Sequence, residues 1–114
     1  MTKVLYYDKV RTMAKWDTKQ SDELWKTILA LRNLDETKRF FRDLLTEAEI
    51  IEFAKRWQAA KMLDIEVPYS EIVKKTGLSS TTVARISRWL NRGLGGYRLM
   101  LHRLHHRPLS SGKK

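Results

Sequence analysis

The sequence predicts an all-α fold organised around a helix-turn-helix, and three observations carry that expectation. Ser/Thr/Asp positions that can cap a helix recur along the chain. Each is followed by apolar residues spaced to share one helical face. After residue 16 no run alternates with the period of two that a half-buried strand needs.

The elements follow in order. Residues 1–16 mix aromatic and basic groups without helical period and read as an N-terminal arm. From Ser21, Leu24, Trp25, Ile28, Leu29 and Leu31 make an apolar stripe behind a Ser/Asp start. A short second helix starts at Asp35 and carries Phe40, Phe41 and Leu44. Thr46 to Glu49 has the form of a capping box, in which hydroxyl and carboxylate exchange hydrogen bonds with each other's amides. The helix it opens holds Ile50, Ile51, Phe53, Ala54, Trp57, Ala60 and Leu63, a stripe wide enough for packing on several sides. It stops between Asp64 and Pro68. Short helices over Ser70–Lys75 and Ser79–Asn91 are parted by Gly77, and GLGG at 93–96 ends the second. A last amphipathic helix spans 96–107, and 108–114 is expected to be a flexible tail. The organisation expected is one domain over 1–114, with dimerisation helices over 17–68 and the helix-turn-helix over 69–92.

Charge divides this chain unevenly. Of its 114 residues, 23 are Lys or Arg and 13 are Asp or Glu, a formal net charge of +10. Residues 1–71 are neutral overall; Glu71 is the last carboxylate, so the whole excess lies in the final 43 residues. An acid-free basic tract cannot host a paired-carboxylate mechanism or a hard-cation site. It suits an anionic partner, double-stranded DNA first. With no cysteine there is no disulfide framework, thiolate metal site or cysteine nucleophile. No apolar run approaches the ~18–20 residues of a membrane span, and the N-terminus lacks a signal-peptide core. The expectation is a cytoplasmic protein that is not an enzyme, has no membrane segment and needs no cofactor.

Tyr69 to Arg88, YSEIVKKTGLSSTTVARISR, carries the functional argument. A helix-turn-helix needs a tight turn, commonly at a glycine able to take positive φ, and apolar residues that lock its helices together. Gly77 supplies the turn, while Ile72, Val73, Leu78, Val83 and Ile86 supply the lock. Ser79 is the cap of the second helix, and Leu78 with Val83 has the spacing of a hydrophobic staple. On a wheel of ~100° per residue with Val83 at zero, Ile86 and Leu90 fall on the buried side. Thr81, Arg85, Arg88 and Arg92 then fall opposite, between about 140° and 200°. Ser80 and Thr82 flank them at the helix start, where such a helix meets base edges. Arginine can grip guanine or clamp a phosphate, and hydroxyls can serve either. Lys74 and Lys75 are candidate phosphate contacts on the first helix.

Residues 45–104 resemble the Trp repressor superfamily, most of all its YerC/YecD branch. The stretches LTEAEIIEFAKRWQAAKML, PYSEIVKKTGLSSTTVARISRWLN and GLGGYRLML carry the resemblance. It implies an intertwined all-helical homodimer whose recognition helices enter successive major grooves of a palindromic operator. Thr46, Arg56 and Arg85 fall where tryptophan-responsive members contact their corepressor. There a glycine follows the second arginine and leaves room for the indole; here Ile86 stands in its place. Tryptophan is therefore disfavoured as effector, and no other small-molecule corepressor is indicated. The positions that contact DNA at the helix start map onto Ser80, Thr81 and Thr82.

Other signals are weaker. His102 and His106 share a face of the last helix beside His105, but without a cysteine or carboxylate they form half a metal site. Trp25, Trp57 and Trp89 have the spacing of core or dimer anchors. The function expected is a homodimeric, sequence-specific transcription regulator, a repressor because nothing suggests a polymerase-contacting module. The alternatives are a helical adaptor for an acidic protein and a nonspecific, nucleoid-type DNA binder.

Overall fold

In a computed structural model, residues 14–112 are described, with side chains through Leu104. Most of the arm expected over 1–16, and the side chains of His105 and His106, lie outside the described residues. Among the described residues six helices follow one another: α1 Lys19–Leu29, α2 Leu34–Leu44, α3 Glu47–Asp64, α4 Tyr69–Thr76, α5 Ser80–Arg92 and α6 Gly96–Gly112. The described residues contain no strand. None of their helices is long and apolar enough to cross a membrane. The helices fall into two compact units, α1 with α2 and α3 with α4 to α6, divided between Leu45 and Thr46.

In the first unit the caps are local. Thr18, not Ser21, caps α1: the Ser21 amide donates to Thr18 Oγ1 at 3.1 Å, and the Thr18 amide donates to Ser21 Oγ at 2.8 Å. This reciprocal box moves the start two residues ahead of the expected one, with serine doing what glutamate usually does. Asn33 caps α2 by accepting from the Glu36 amide at 2.9 Å, and Glu36 in turn accepts from the Arg32 amide. Phe40 and Phe41 meet edge to face, 5.5 Å between centroids. Neither helix buries a residue, and Trp25, Leu29, Leu34 and Leu44 are exposed. Helices this short gain stability mainly by burying an apolar face.

The second unit holds the core. Thr46 and Glu49 form the expected box at the start of α3, with amide-to-oxygen distances of 3.1 and 2.9 Å. Toward the other end of α3, Ala59, Ala60 and Met62 are buried and meet Ile72 of α4, Leu78 of the turn, and Val83 and Ile86 of α5. Two successive alanines let the neighbouring helices approach closely. Trp57, Leu63, Val67, Val73 and Tyr97 close the edges.

α3 ends in a paired-bond stop: the Val67 amide donates to the Met62 carbonyl and the Glu66 amide to that of Leu63, both at 3.0 Å. The residue between helix and exit, Glu66, takes the left-handed conformation (φ 62) that glycine usually occupies there.

α6 runs to Gly112 rather than ending near Arg107 before a tail from Pro108. Proline's fixed φ is itself helical, so its penalty falls on the missing amide and the crowded preceding turn, not on the backbone direction.

Candidate nucleic-acid interface

The site rests on the joint between α4 and α5. Gly77 caps α4 in the left-handed region (φ 79) and its amide donates to the Val73 carbonyl at 2.9 Å. Thr76, buried, fastens the turn from both sides. Its hydroxyl donates to the Ile72 carbonyl at 2.7 Å and accepts from the Leu78 amide at 3.1 Å. Ser79 then caps α5 by accepting from the Thr82 amide at 3.0 Å. Leu78 and Val83 are both buried in the same cluster, the contact a hydrophobic staple requires. These bonds fix the direction in which α5 leaves the turn.

With Val83, Ile86 and Leu90 buried, α5 has one committed face. Ser80, Thr81, Arg85, Arg88 and Arg92 are exposed. Among the described residues no carboxylate pairs with Arg85, Arg88 or Arg92. Arg88 and Arg92 line an open hollow together with Ala84, Ser87 and Asn91. Thr82 is half-buried, and its hydroxyl accepts from Ser79 Oγ at 3.0 Å, so part of its capacity is held by the cap. On α4, Lys74 and Lys75 edge a second hollow with Ser70 and Glu71. Lys75 sits 3.6 Å from Glu71, which offsets its charge; Lys74 has no such partner among the described residues.

Of the three positions where the resemblance leads one to expect corepressor contacts, two are engaged locally and one is exposed. Thr46 Oγ1 is the cap acceptor of α3. Arg56 lies 3.4 Å from Glu52, and Arg85 stands exposed on α5. No hydrogen bond or ion pair among the described residues joins them. Ile86 is fully buried, 0% exposed, in the core cluster. Next to Arg56, Tyr97 stacks on Trp57 with centroids 6.2 Å apart. Burial pushes the Tyr97 phenol above its ordinary value, and the Arg56 charge opposes that rise in part. His102 is exposed on α6, and the described residues hold no cluster of three potential metal ligands.

Arg98 is not among the contacts that the sequence points to. Its guanidinium donates to Asp64 Oδ1 at the end of α3 (3.1 Å) and to Asn91 Oδ1 near the end of α5 (3.0 Å). Asn91 Nδ2 in turn donates to the Ser87 carbonyl. One side chain thus joins α3, α5 and α6. A separation of 34 residues from Asp64 leaves no periodic signal by which it could be found.

Comparison with known proteins agrees with this architecture. The family model described as Trp repressor protein matches residues 19–105. A Bacillus subtilis protein described as uncharacterized protein YerC is 38% identical over 96 residues, covering 84% of this chain and 92% of its own length. Among solved structures, a TrpR-like protein from Eubacterium eligens is 40% identical, with a TM-score of 0.76 over 80% of this chain and 94% of its own. A candidate Trp repressor from Staphylococcus aureus is 36% identical, with a TM-score of 0.73 over 77% and 88%.

Proposed function

The chain belongs to the Trp repressor family and has its all-α fold, and from this premise we propose that it is a homodimeric, sequence-specific transcription repressor of a palindromic operator. One observation carries the proposal. The face of α5 opposite the core offers three arginines that no carboxylate among the described residues pairs with, preceded by Ser80 and Thr81 at the helix start. That is the equipment of a recognition helix, with hydroxyls and guanidiniums for base edges and phosphates. Lys74, Lys75 and Thr82 add to the same interface.

The dimer is supported by the apolar surface that one chain leaves uncovered. Trp25, Leu29 and Leu34 in the first unit, and Ile51, Phe53, Trp89, Leu99 and Leu104 in the second, are all exposed. An association that took these side chains out of water would be favoured by their burial. In a two-fold dimer of this kind the recognition helices stand about 34 Å apart, so the half-sites recur about one helical turn apart. A DNA target also supports residence in the cytoplasm. Tryptophan is not the effector, because Ile86 fills the space that an indole would need; micromolar tryptophan binding in isothermal titration would overturn this point.

Selection from random duplex DNA tests the whole proposal. A sharp two-fold motif is expected. A flat outcome with tight binding would favour a nonspecific coat, and no binding would favour a protein adaptor. With about three to five phosphates neutralised per protomer, log K should fall against log salt with a slope of about −5 to −9 for the dimer. Arg88→Ala or Arg85→Ala should cost about 1–3 kcal/mol and change the preferred sequence if a base contact is lost; a lost phosphate contact would weaken all sites alike.

A further inference from the structure

Lys55 belongs to α3, outside the helix-turn-helix and inside the electrically neutral part of the chain. Its ammonium nevertheless reaches the motif: Nζ lies 3.6 Å from the point where a Cβ on Gly77 would stand. Lys55 is half-buried, yet no carboxylate or carbonyl among the described residues pairs with its ammonium. Glu52, one helical turn before it on α3, is engaged by Arg56. The ammonium makes no hydrogen bond to the last carbonyls of α4, so capping that helix does not account for its position.

Two amides of the turn are already engaged. The Gly77 amide is held by the Val73 carbonyl and the Leu78 amide by Thr76 Oγ1. In a docked helix-turn-helix the first helix crosses the nucleic-acid backbone and the turn leads directly into the groove-reading helix. A phosphate lying against the start of this turn would find those two amides engaged and the unpaired ammonium of Lys55 beside them. We propose that Lys55 contacts the DNA backbone at the helix-turn-helix turn, a positioning contact supplied by the scaffold helix rather than by the motif. The inference rests on the DNA-binding reading above, and its chemistry is that of a phosphate diester recognised by one ammonium.

The test is the salt dependence of binding by the full-length protein, wild type against Lys55→Gln, on the selected duplex, or on mixed-sequence duplex if selection is flat. Loss of one phosphate contact per protomer should make the dimer's slope shallower by about 1.8. Between 50 and 200 mM salt the variant should therefore lose about twelve-fold less affinity than the wild type. The preferred sequence should not change, the thermal midpoint should stay close to that of the wild type, and Lys55→Arg should restore the slope. An unchanged slope with a wild type that binds steeply would refute the role of Lys55 alone. A wild type that binds no DNA would refute the underlying reading, and this inference with it. A slope that falls only together with the thermal midpoint, without rescue by arginine, would assign Lys55 to stability instead.

Discussion

Replacing Ile86 by alanine probes the core and the effector question together. The side chain is fully enclosed among Ala59, Ala60, Met62, Ile72, Leu78 and Val83. Truncation removes three buried carbons, about 2.4 kcal/mol at ~0.8 kcal/mol each. The helices that frame the space are anchored by Thr76, Ser79 and Arg98, so they collapse only in part and a cavity term adds to the transfer term. The expected loss is about 3–4 kcal/mol, inside the 2–5 kcal/mol range of such truncations. Ile86→Val should cost only about 0.5–1.5 kcal/mol. Urea unfolding at fixed protomer concentration measures both, and the fluorescence of Trp57, which borders this core, reports the transition. A shifted midpoint with unchanged m identifies a pure stability effect. A loss below about 1 kcal/mol for the alanine variant would refute the packing argument, since a side chain so easily removed could not be what fills the space.

Gly77→Ala should destabilise by about 1–2 kcal/mol through the left-handed backbone alone, because the new Cβ would meet only Lys55 Nζ at an ordinary contact distance. Gly77→Asn should cost less than the alanine variant, and thermal unfolding compares them. Tyr97 contributes a pH dependence. Its folded-state value lies above the ordinary 10.0, so its contribution is intact below that pH and is lost as pH rises through the folded value, the unfolded chain ionising first. Wild type should therefore lose stability faster than Tyr97→Phe above pH 10.0, and parallel curves for the two would contradict a desolvated phenol.

What the sequence makes legible follows the range of the forces involved. The Thr46–Glu49 box, the glycine turn and the Ser79 cap each close within four residues, and each is readable as a local pattern. The α5 wheel is equally local: once Val83, Ile86 and Leu90 face inward, the arginines have to face out. The start of α1 was harder to see because serine, not glutamate, completes the box at Thr18. The left-handed exit at Glu66 is invisible for a related reason, a glutamate standing where glycine is the usual signal. The stripes of α1 and α2 identify apolar faces but not what covers them, and both helices leave those faces unburied within their own unit. Arg98 and Lys55 lie further still from local inference, because Asp64 is 34 residues from Arg98 and the turn glycine 22 residues from Lys55.

The Arg98 tie changes how the basic tract should be counted. Arg98 shares its charge with Asp64 and Lys75 shares its own with Glu71, and both acids come from the half of the chain that balances to zero. The two parts thus share charge, across the fold through Arg98 and within α4 through Lys75: the basic tract is less positive than its composition, and the scaffold less neutral. Electrostatic attraction to a polyanion consequently falls on the side chains that stay uncompensated, among them Arg85, Arg88 and Arg92 on the helix that Ser79 caps and Arg98 ties through Asn91. A protein arranged in this way would be drawn to its partner already facing it.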